Sequence, residues 1–445
     1  MTDQTIFALA SGRGRAGIAV VRVSGPDAAA ALARIAGRLP PPRRAHLARL
    51  SDGDGEVLDE GLVLWFPAPG SFTGEDTAEL HLHGGRAVTD GVLAVLGRCP
   101  GLRPAEPGEF SRRAFANGKL DLTAAEGLAD LVAAETAAQR RQALRQMGGA
   151  LARLYEGWRQ RLVGALAQVE AAIDFADEDI PDDLEKRVRA TAAGLAAEVG
   201  AHLADGRRGE RLREGIDIAI VGPPNAGKSS LLNALVGRAA AIVSPHPGTT
   251  RDVIEVALDL GGYPVVLADT AGLRVPVEAI ESEGIARARR WAGEADVRLV
   301  VLDGAVWPRS DAEALALANG DDVVVVNKAD LFAPAAAEKY LQVVGREALA
   351  VSARTGAGLD TLVRALETKV ATRFDATAVP ALTRARHRQA LERCRDALEQ
   401  AVWGGGAELV AEDLRCAAEA LGRITGRVDV EEILDRIFRE FCIGK

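Results

Sequence analysis

Apolar positions repeat in two rhythms along this chain, and the places where the rhythm changes divide it. Ala16 to Val23 (AGIAVVRV) and Gly61 to Phe66 (GLVLWF) are short β-branched runs, the pattern of strands. Residues 1 to about 118 mix such runs with loops. From Asp121 the texture turns to Ala, Leu, Glu, Arg and Gln with few Gly or Pro, which predicts helices over roughly 121–172 and 184–204. Thr123-Ala-Ala-Glu126 has capping-box spacing, its hydroxyl expected to cover an orphan N–H while the glutamate reaches back. The acidic break Asp177-Glu-Asp-Ile-Pro-Asp-Asp183 reads as a solvated loop, with a cation site as the alternative.

From Ile216 to about residue 372 strands alternate with helical stretches, the βαβ signature of a parallel sheet. After Pro380 the pattern is helical again, and Val430, Ile433, Leu434, Ile437, Phe438 and Phe441 fall on one apolar stripe. An α/β domain inserted between two halves of a helical domain accounts for this order.

Composition narrows the class. A length of 445 residues favours two or three domains. No run approaches the roughly 18 apolar residues of a membrane helix, and the first residues carry neither a basic n-region nor an Arg-rich stretch. Cys99, Cys394, Cys416 and Cys442 are far apart with no CxxC pair, which fits a reducing compartment, so a cytoplasmic location without a membrane span is expected. The net charge of −9 means that any nucleic-acid contact is local or supplied by a partner.

The strongest chemical signal starts at the strand-like run Ile216 to Val221. It leads into Gly222-Pro-Pro-Asn-Ala-Gly-Lys-Ser229 and then a helical run, which is GxxxxGK[ST] in its required context. Backbone N–H groups of Asn225, Ala226, Gly227, Lys228, Ser229 and Ser230 are expected to face phosphates. Lys228 should reach the β- and γ-phosphates and Ser229 should ligate Mg²⁺. Asp269-Thr270-Ala271-Gly272 follows the strand Val265 to Ala268 and fits the second metal-side motif. Asn327, Lys328 and Asp330 form an NKxD motif after Asp322 to Val326. Its aspartate can accept both N1–H and the 2-amino group of guanine, whereas adenine offers neither donor and would leave a carboxylate unpaired. Ser352, Ala353 and Arg354 fit the loop that closes over the base. Four motifs in order, each after a strand, specify a GTP site.

The water-orienting glutamine that commonly follows the DxxG glycine is absent; that position is Leu273. No arginine finger, worth about 10³–10⁵ in rate, is assignable either. The Asn225 side-chain oxygen could help to hold a monovalent cation beside the phosphates, with further oxygens from Ser244, Pro245, His246, Pro247, Gly248, Thr249 and Thr250.

These motifs, together with Gly74-Glu-Asp-Thr-Ala-Glu-Leu80, Pro107-Gly-Glu-Phe110, Asn117-Gly-Lys-Leu-Asp-Leu122 and the terminal Cys442-Ile-Gly-Lys445, resemble the MnmE (TrmE) family of tRNA uridine-modification GTPases over essentially the whole chain. The resemblance implies a multidomain α+β and α/β protein. Its parts are an N-terminal α+β folate-binding and dimerisation domain over 1–118, a discontinuous α-helical domain over 119–210 and 375–445, and an inserted Ras-like P-loop G domain over 211–374. It implies a homodimer that works with an FAD-containing partner, MnmG (GidA), on the C5 position of the wobble uridine of tRNA. The added group is aminomethyl or carboxymethylaminomethyl, and 5,10-methylene- or 5-formyl-tetrahydrofolate supplies the carbon.

Residue by residue, the resemblance implies potassium at Asn225, Ser244, His246 and Thr249, and magnesium at Ser229 and Thr250. G-domain dimerisation around the potassium replaces the arginine finger. The water-orienting glutamate aligns with Glu281, with Glu283 as its rival and Glu278 behind them. Folate falls to Arg22, Glu79, Lys119 and Lys445. His246 and Pro247 depart from the family's aliphatic and small residues, which puts that loop's flexibility in question.

Other patterns are weaker. Gly12-Arg-Gly-Arg-Ala-Gly17 is literally GxGxxG but leads into a strand, where a dinucleotide site needs a helix. Cys442 is a reactive thiol or a small apolar residue ending the last helix. His81 and His83 share one strand face and are either structural or metal-ligating. Arg207, Arg208, Arg211 and Arg213 read as a solvated linker, or else as an RNA contact. The alternative function is a ribosome-assembly or regulatory GTPase switch, although no RNP1 pattern or KH-like basic segment is present.

Overall fold

The computed structural model describes residues 4–174, 183–238, 240–242, 254–269, 293–305, 322–332, 348–374, 380–428, 434, 437–439, 441 and 444. In chain order the first elements are β1 (Thr5–Leu9), β2 (Ala16–Ser24), α1 (Ala28–Ala36), β3 (His46–Ser51), β4 (Val57–Phe66), β5 (Thr77–Gly84), α2 (Arg86–Gly97), β6 (Leu102–Pro104) and α3 (Glu109–Ala116). Five helices follow: α4 (Leu122–Ala133), α5 (Ala137–Met147), α6 (Ala150–Asp174), α7 (Leu184–Leu203) and α8 (Arg208–Glu214). Then come β7 (Ile216–Val221), α9 (Lys228–Val236), β8 (Ala240–Ala241), β9 (Ile254–Leu260), β10 (Tyr263–Asp269), β11 (Val297–Asp303), β12 (Val323–Asn327), β13 (Ala348–Ala350) and α10 (Leu359–Phe374). Helices α11 (Ala385–Trp403) and α12 (Ala407–Thr425) complete the series.

The chain divides into two compact units, each discontinuous in sequence. One holds Met1–Ala129, Gln146–Leu195 and Asp396–Lys445; the other holds Asp130–Arg145 and Ala196–Arg395. No helix among the described residues is long and apolar enough to cross a membrane.

In the first unit a six-stranded sheet runs β3-β4-β5-β2-β1-β6. Side chains alternate across it, so Val21 and Val23, Leu80 and Leu82, and Val63 and Trp65 face helices α1 and α2, which contribute Leu32, Ile35, Val92, Val95 and Leu96 to the same core. Each such side chain, once fully buried, contributes about 1.5–3 kcal/mol. The opposite face carries Ile6 and Ala8, covered by Phe110 of α3 and by Phe72. The GxGxxG stretch runs into β2 as expected. Helix α6 offers Leu151, Tyr155, Trp158, Leu162, Ala165 and Val169 at helical spacing and packs on α12. Ile437, Phe438 and Phe441 join Leu122 and Ala125 in a small core with Leu434 alongside, while Val430 and Ile433 of that stripe lie outside the described residues.

The cap expected at Thr123 is elsewhere. Asp121 Oδ1 accepts from the Thr123 and Ala124 N–H groups and from the Thr123 hydroxyl, and Glu126 is fully buried. An aspartate two residues upstream outcompetes the threonine because its carboxylate can serve all three donors. A reciprocal box does form at Thr136-Ala-Ala-Gln139. There the Thr136 hydroxyl faces the Gln139 N–H at 3.4 Å, and the glutamine oxygen takes the Glu135 and Thr136 N–H groups.

In the second unit the sheet order is β13-β12-β11-β7-β10-β9-β8. The stretch from β13 to β10 is parallel, but β9 pairs antiparallel with both β10 and β8. The sheet is therefore mixed rather than parallel. The cause is a hairpin whose two-residue loop, Gly261-Gly262, has φ of 60° and 88°, the left-handed pair that a tight turn between twisted strands needs. Residues 207–213 are not a linker either. They enter helix α8, where Arg211 pairs with Asp217 at 2.6 Å and Arg213 with Asp130 at 3.0 Å.

Candidate guanine-nucleotide site

The parallel strands β7, β10, β11 and β12 all end on one edge of their sheet, and β7 lies where the chain order reverses direction across it. Ligand crevices of open α/β sheets form at that point. Gly222 leaves β7 at φ 151°, and a Cβ on it would strike the Val301 carbonyl of β11. Asn225 and Gly227 follow with φ of 63° and 86°, a geometry that turns successive N–H groups toward one side and suits an anion. Lys228 opens α9 and is only 6% exposed. Its ammonium curls back to donate to the Gly222 and Pro223 carbonyls, both at 2.8 Å. Phosphate oxygens are charged acceptors and would take those donors in preference. Asn225, Ser229 and Ser230 stand exposed on the rim, and Ala226 is buried beneath it.

At the other end of the crevice, Asn327 joins two loops. Its amide donates to the Ala226 carbonyl at 2.8 Å, and its oxygen accepts from the Ala353 N–H at 3.1 Å. The phosphate loop and the Ser352–Arg354 loop are thus pinned to one side chain that is 2% exposed. Asp330 sits in a short 3-10 turn, Ala329–Leu331. Its Oδ1 accepts from the Ser352 hydroxyl at 2.5 Å and its Oδ2 pairs with Arg354 at 2.6 Å. The Ser352 hydroxyl above all, and Arg354 after it, hold the Asp330 carboxyl below the usual carboxylate range against the opposing effect of burial. The group is therefore held as an anion, and each of its oxygens retains a second lone pair for a further donor.

Several expected positions lie outside the described residues: Ser244, Pro245, His246, Pro247, Gly248, Thr249 and Thr250, then Thr270, Ala271 and Gly272, Glu281 and Glu283, and Cys442 and Lys445. Asp269 is described in its backbone, which ends β10 in register with Ile220 of β7. The strut made by Asn327 was not legible beforehand. Its NKxD context marked it for the base, but a contact spanning 101 residues has no local signal.

Comparison with known proteins adds the rest. The description "GTP-binding protein TrmE N-terminus" matches residues 5–119, and "MnmE helical domain" matches residues 122–442. Proteins named tRNA modification GTPase MnmE are similar over the full length. The one from Rhodospirillum rubrum is 58% identical and the one from Paramagnetospirillum magneticum 60%, each alignment covering 100% of both chains. The relative from Parvibaculum lavamentivorans is 57% identical over 99% of this chain. The chain belongs to the MnmE family. As a member of the MnmE family it is a tRNA modification GTPase, a GTP hydrolase.

In this MnmE-family chain a second cluster lies on the first unit's sheet, far in sequence from the nucleotide motifs. Arg22 of β2 and Glu79 of β5 are register partners, and the guanidinium holds Glu79 Oε1 at 2.8 and 3.0 Å. Arg22 also lies 5.4 Å from the Phe72 ring centroid and 5.8 Å from that of Phe110. Glu79 Oε2 makes no hydrogen bond among the described residues and lies 3.5 Å from His81 Nε2. Lys119 donates to the Pro69 carbonyl at 3.0 Å and borders Gly74. Arg22 and Lys119 therefore flank the same 67–76 loop. His83 pairs with Asp59 at 2.8 Å, and among the described residues no three His, Cys, Asp or Glu side chains are grouped to hold a metal. Gly444, the described member of the terminal motif, lies against Leu9 and Ala10 of the same unit.

Proposed function

We propose that this chain is the GTP-hydrolysing component of wobble-uridine C5 modification in tRNA. It works in the cytoplasm as a homodimer with an FAD-containing partner, MnmG, and draws a one-carbon unit from a reduced folate. The observation that carries the reading is the guanine crevice, with Lys228 at the phosphate end and Asp330 at the base end, in a chain related to MnmE proteins from end to end. The domain limits we assign are 1–118, 119–210 with 375–445, and 211–374, and the N-terminal family match over 5–119 supports the first of them.

Within the crevice the loop N–H groups and Lys228 bind and orient the triphosphate, Asp330 selects guanine, and Asn327 keeps the two ends in register. Ser229 at the exposed start of α9 fits magnesium, with Thr250 as its companion; these hydroxyls would hold the ion, which would supply positive charge to offset that of the phosphates. Asn225 offers a hard oxygen on a left-handed rim position, which fits potassium together with Ser244, His246 and Thr249. Such an ion supplies the positive charge that an arginine finger supplies elsewhere. Glu281 orients water, and Glu283 is its rival. GTP turnover is expected to be about tenfold or more faster in K⁺ than in Na⁺, a modest share of what a finger contributes. Equal rates in the two salts would remove the cation from the account.

Folate is assigned to Arg22, Glu79 and Lys119 with Lys445, and Cys442 is the adjacent thiol. Support comes from the Glu79 oxygen that makes no hydrogen bond among the described residues, an acceptor suited to a donor-rich pterin edge, and from its partner Arg22, which lies against two aromatic rings. Glu79→Ala should weaken retention of 5-formyl-tetrahydrofolate by roughly ten- to a hundredfold, the effect of losing a charged hydrogen-bond partner. Equilibrium dialysis measures it, and unchanged retention would move the folate elsewhere. The function itself is tested by wobble-uridine modification in a strain lacking the gene. The intact chain should restore it and the Lys228→Ala chain should not; restoration by both would separate GTP hydrolysis from the modification.

A further inference from the structure

We propose that Asp303 is a positioning residue for nucleotide binding, tethering Lys328 so that the lysine stem forms a ready-made wall of the guanine pocket. The inference rests on the guanine site argued above. Asp303 is the last residue of β11 and the register partner of Asn327 on β12. It is 6% exposed, and both of its oxygens are engaged: Oδ1 accepts from the Ala305 N–H at 2.9 Å, and Oδ2 takes the Lys328 ammonium at 2.6 Å.

Lys328 is fixed at its other end too. Its backbone is left-handed, φ 64°, a conformation uncommon outside glycine. The carbonyl of Lys328 accepts from the Leu331 N–H, and the following residue's N–H donates to Val351, both at 2.9 Å. Lys328 is thus held at both its ammonium and its backbone, one residue after Asn327 and two before Asp330. A purine whose N1–H and 2-amino group reach Asp330 must lie beside the lysine stem. A free surface lysine would surrender rotamer freedom each time a nucleotide bound; here the buried carboxylate has already imposed that order. No nucleotide-binding motif includes Asp303, and its only mark in the sequence is the Asp-Gly that ends a run of apolar residues.

The test compares the full chain with Asp303→Asn, which removes the charge but keeps an acceptor for Ala305. Affinities for GDP, GTP and ITP are read by titration of fluorescent analogues, and turnover at saturating GTP is read alongside. We expect roughly three- to tenfold weaker binding, the same factor for GTP and ITP, with kcat changed less than about twofold. A collapsed loop would displace Asp330 and alter the GTP-to-ITP ratio, because inosine lacks the 2-amino group. Lys328→Ala, which removes the wall itself, should lose at least as much, and the double variant no more than Lys328→Ala alone. Unchanged affinity in Asp303→Asn, a changed GTP-to-ITP ratio, or additive losses in the double variant would overturn the proposal. Should Asp303→Asn fail to fold, Asp303→Ser carries the same comparison, since its hydroxyl also accepts from Ala305. If the unaltered chain binds no guanine nucleotide, the site reading fails first, and that result is distinct from a normal chain with an unaffected variant.

Discussion

Asp330→Asn lowers the affinity for GTP by about three orders of magnitude and raises that for xanthosine triphosphate, which presents an acceptor where guanine presents the 2-amino donor. The expectation follows from the chemistry of the position. In the proposed pocket the carboxylate would accept from two donors on guanine, while Ser352 and Arg354 hold it anionic. An asparagine offers one acceptor and one donor, and the donor meets the guanine donors head-on. The fold should tolerate the change, since the amide oxygen can still accept from Ser352 and the Arg354 side chain is 76% exposed. The ratio of kcat/KM for GTP and XTP measures the effect, and an unchanged guanosine preference would place the base contact elsewhere.

Lys228→Ala is the second large effect: roughly a 10²- to 10³-fold fall in kcat/KM for GTP, the usual consequence of removing one charged donor from the centre of developing charge. In the structure the ammonium donates to the Gly222 and Pro223 carbonyls. Losing these two bonds to neutral carbonyls should cost on the order of 1–3 kcal/mol of stability. Thermal melting beside the kinetics separates the two. Inactivity accompanied by unfolding would show that the lysine is needed for the loop's structure instead.

The parts of this protein legible in advance are those written locally. Val221 into Gly222 through Lys228, and Val326 into Asn327 through Asp330, are strand-to-loop signatures whose chemistry and placement are given within about ten residues. The rest depends on which distant segments meet. The hairpin at Gly261-Gly262 is not legible locally because the strand–helix alternation set by β7 and α9 gives way to β8, β9 and β10, which pair antiparallel. The cap moved from Thr123 to Asp121 because two residues compete for the same N–H groups, and spacing alone does not rank them. Arg22 and Glu79, 57 residues apart, face each other only through the register of β2 and β5. Family resemblance proposed them individually; the sheet makes them partners.

The proposed crevice takes phosphate at Lys228 and guanine at Asp330. Its most direct test is an equilibrium titration of the full chain with fluorescent GDP and ADP analogues, magnesium and potassium present. We predict that the guanine nucleotide binds at least about 10³-fold more tightly than the adenine nucleotide. Comparable affinities, or retention of neither, would contradict it.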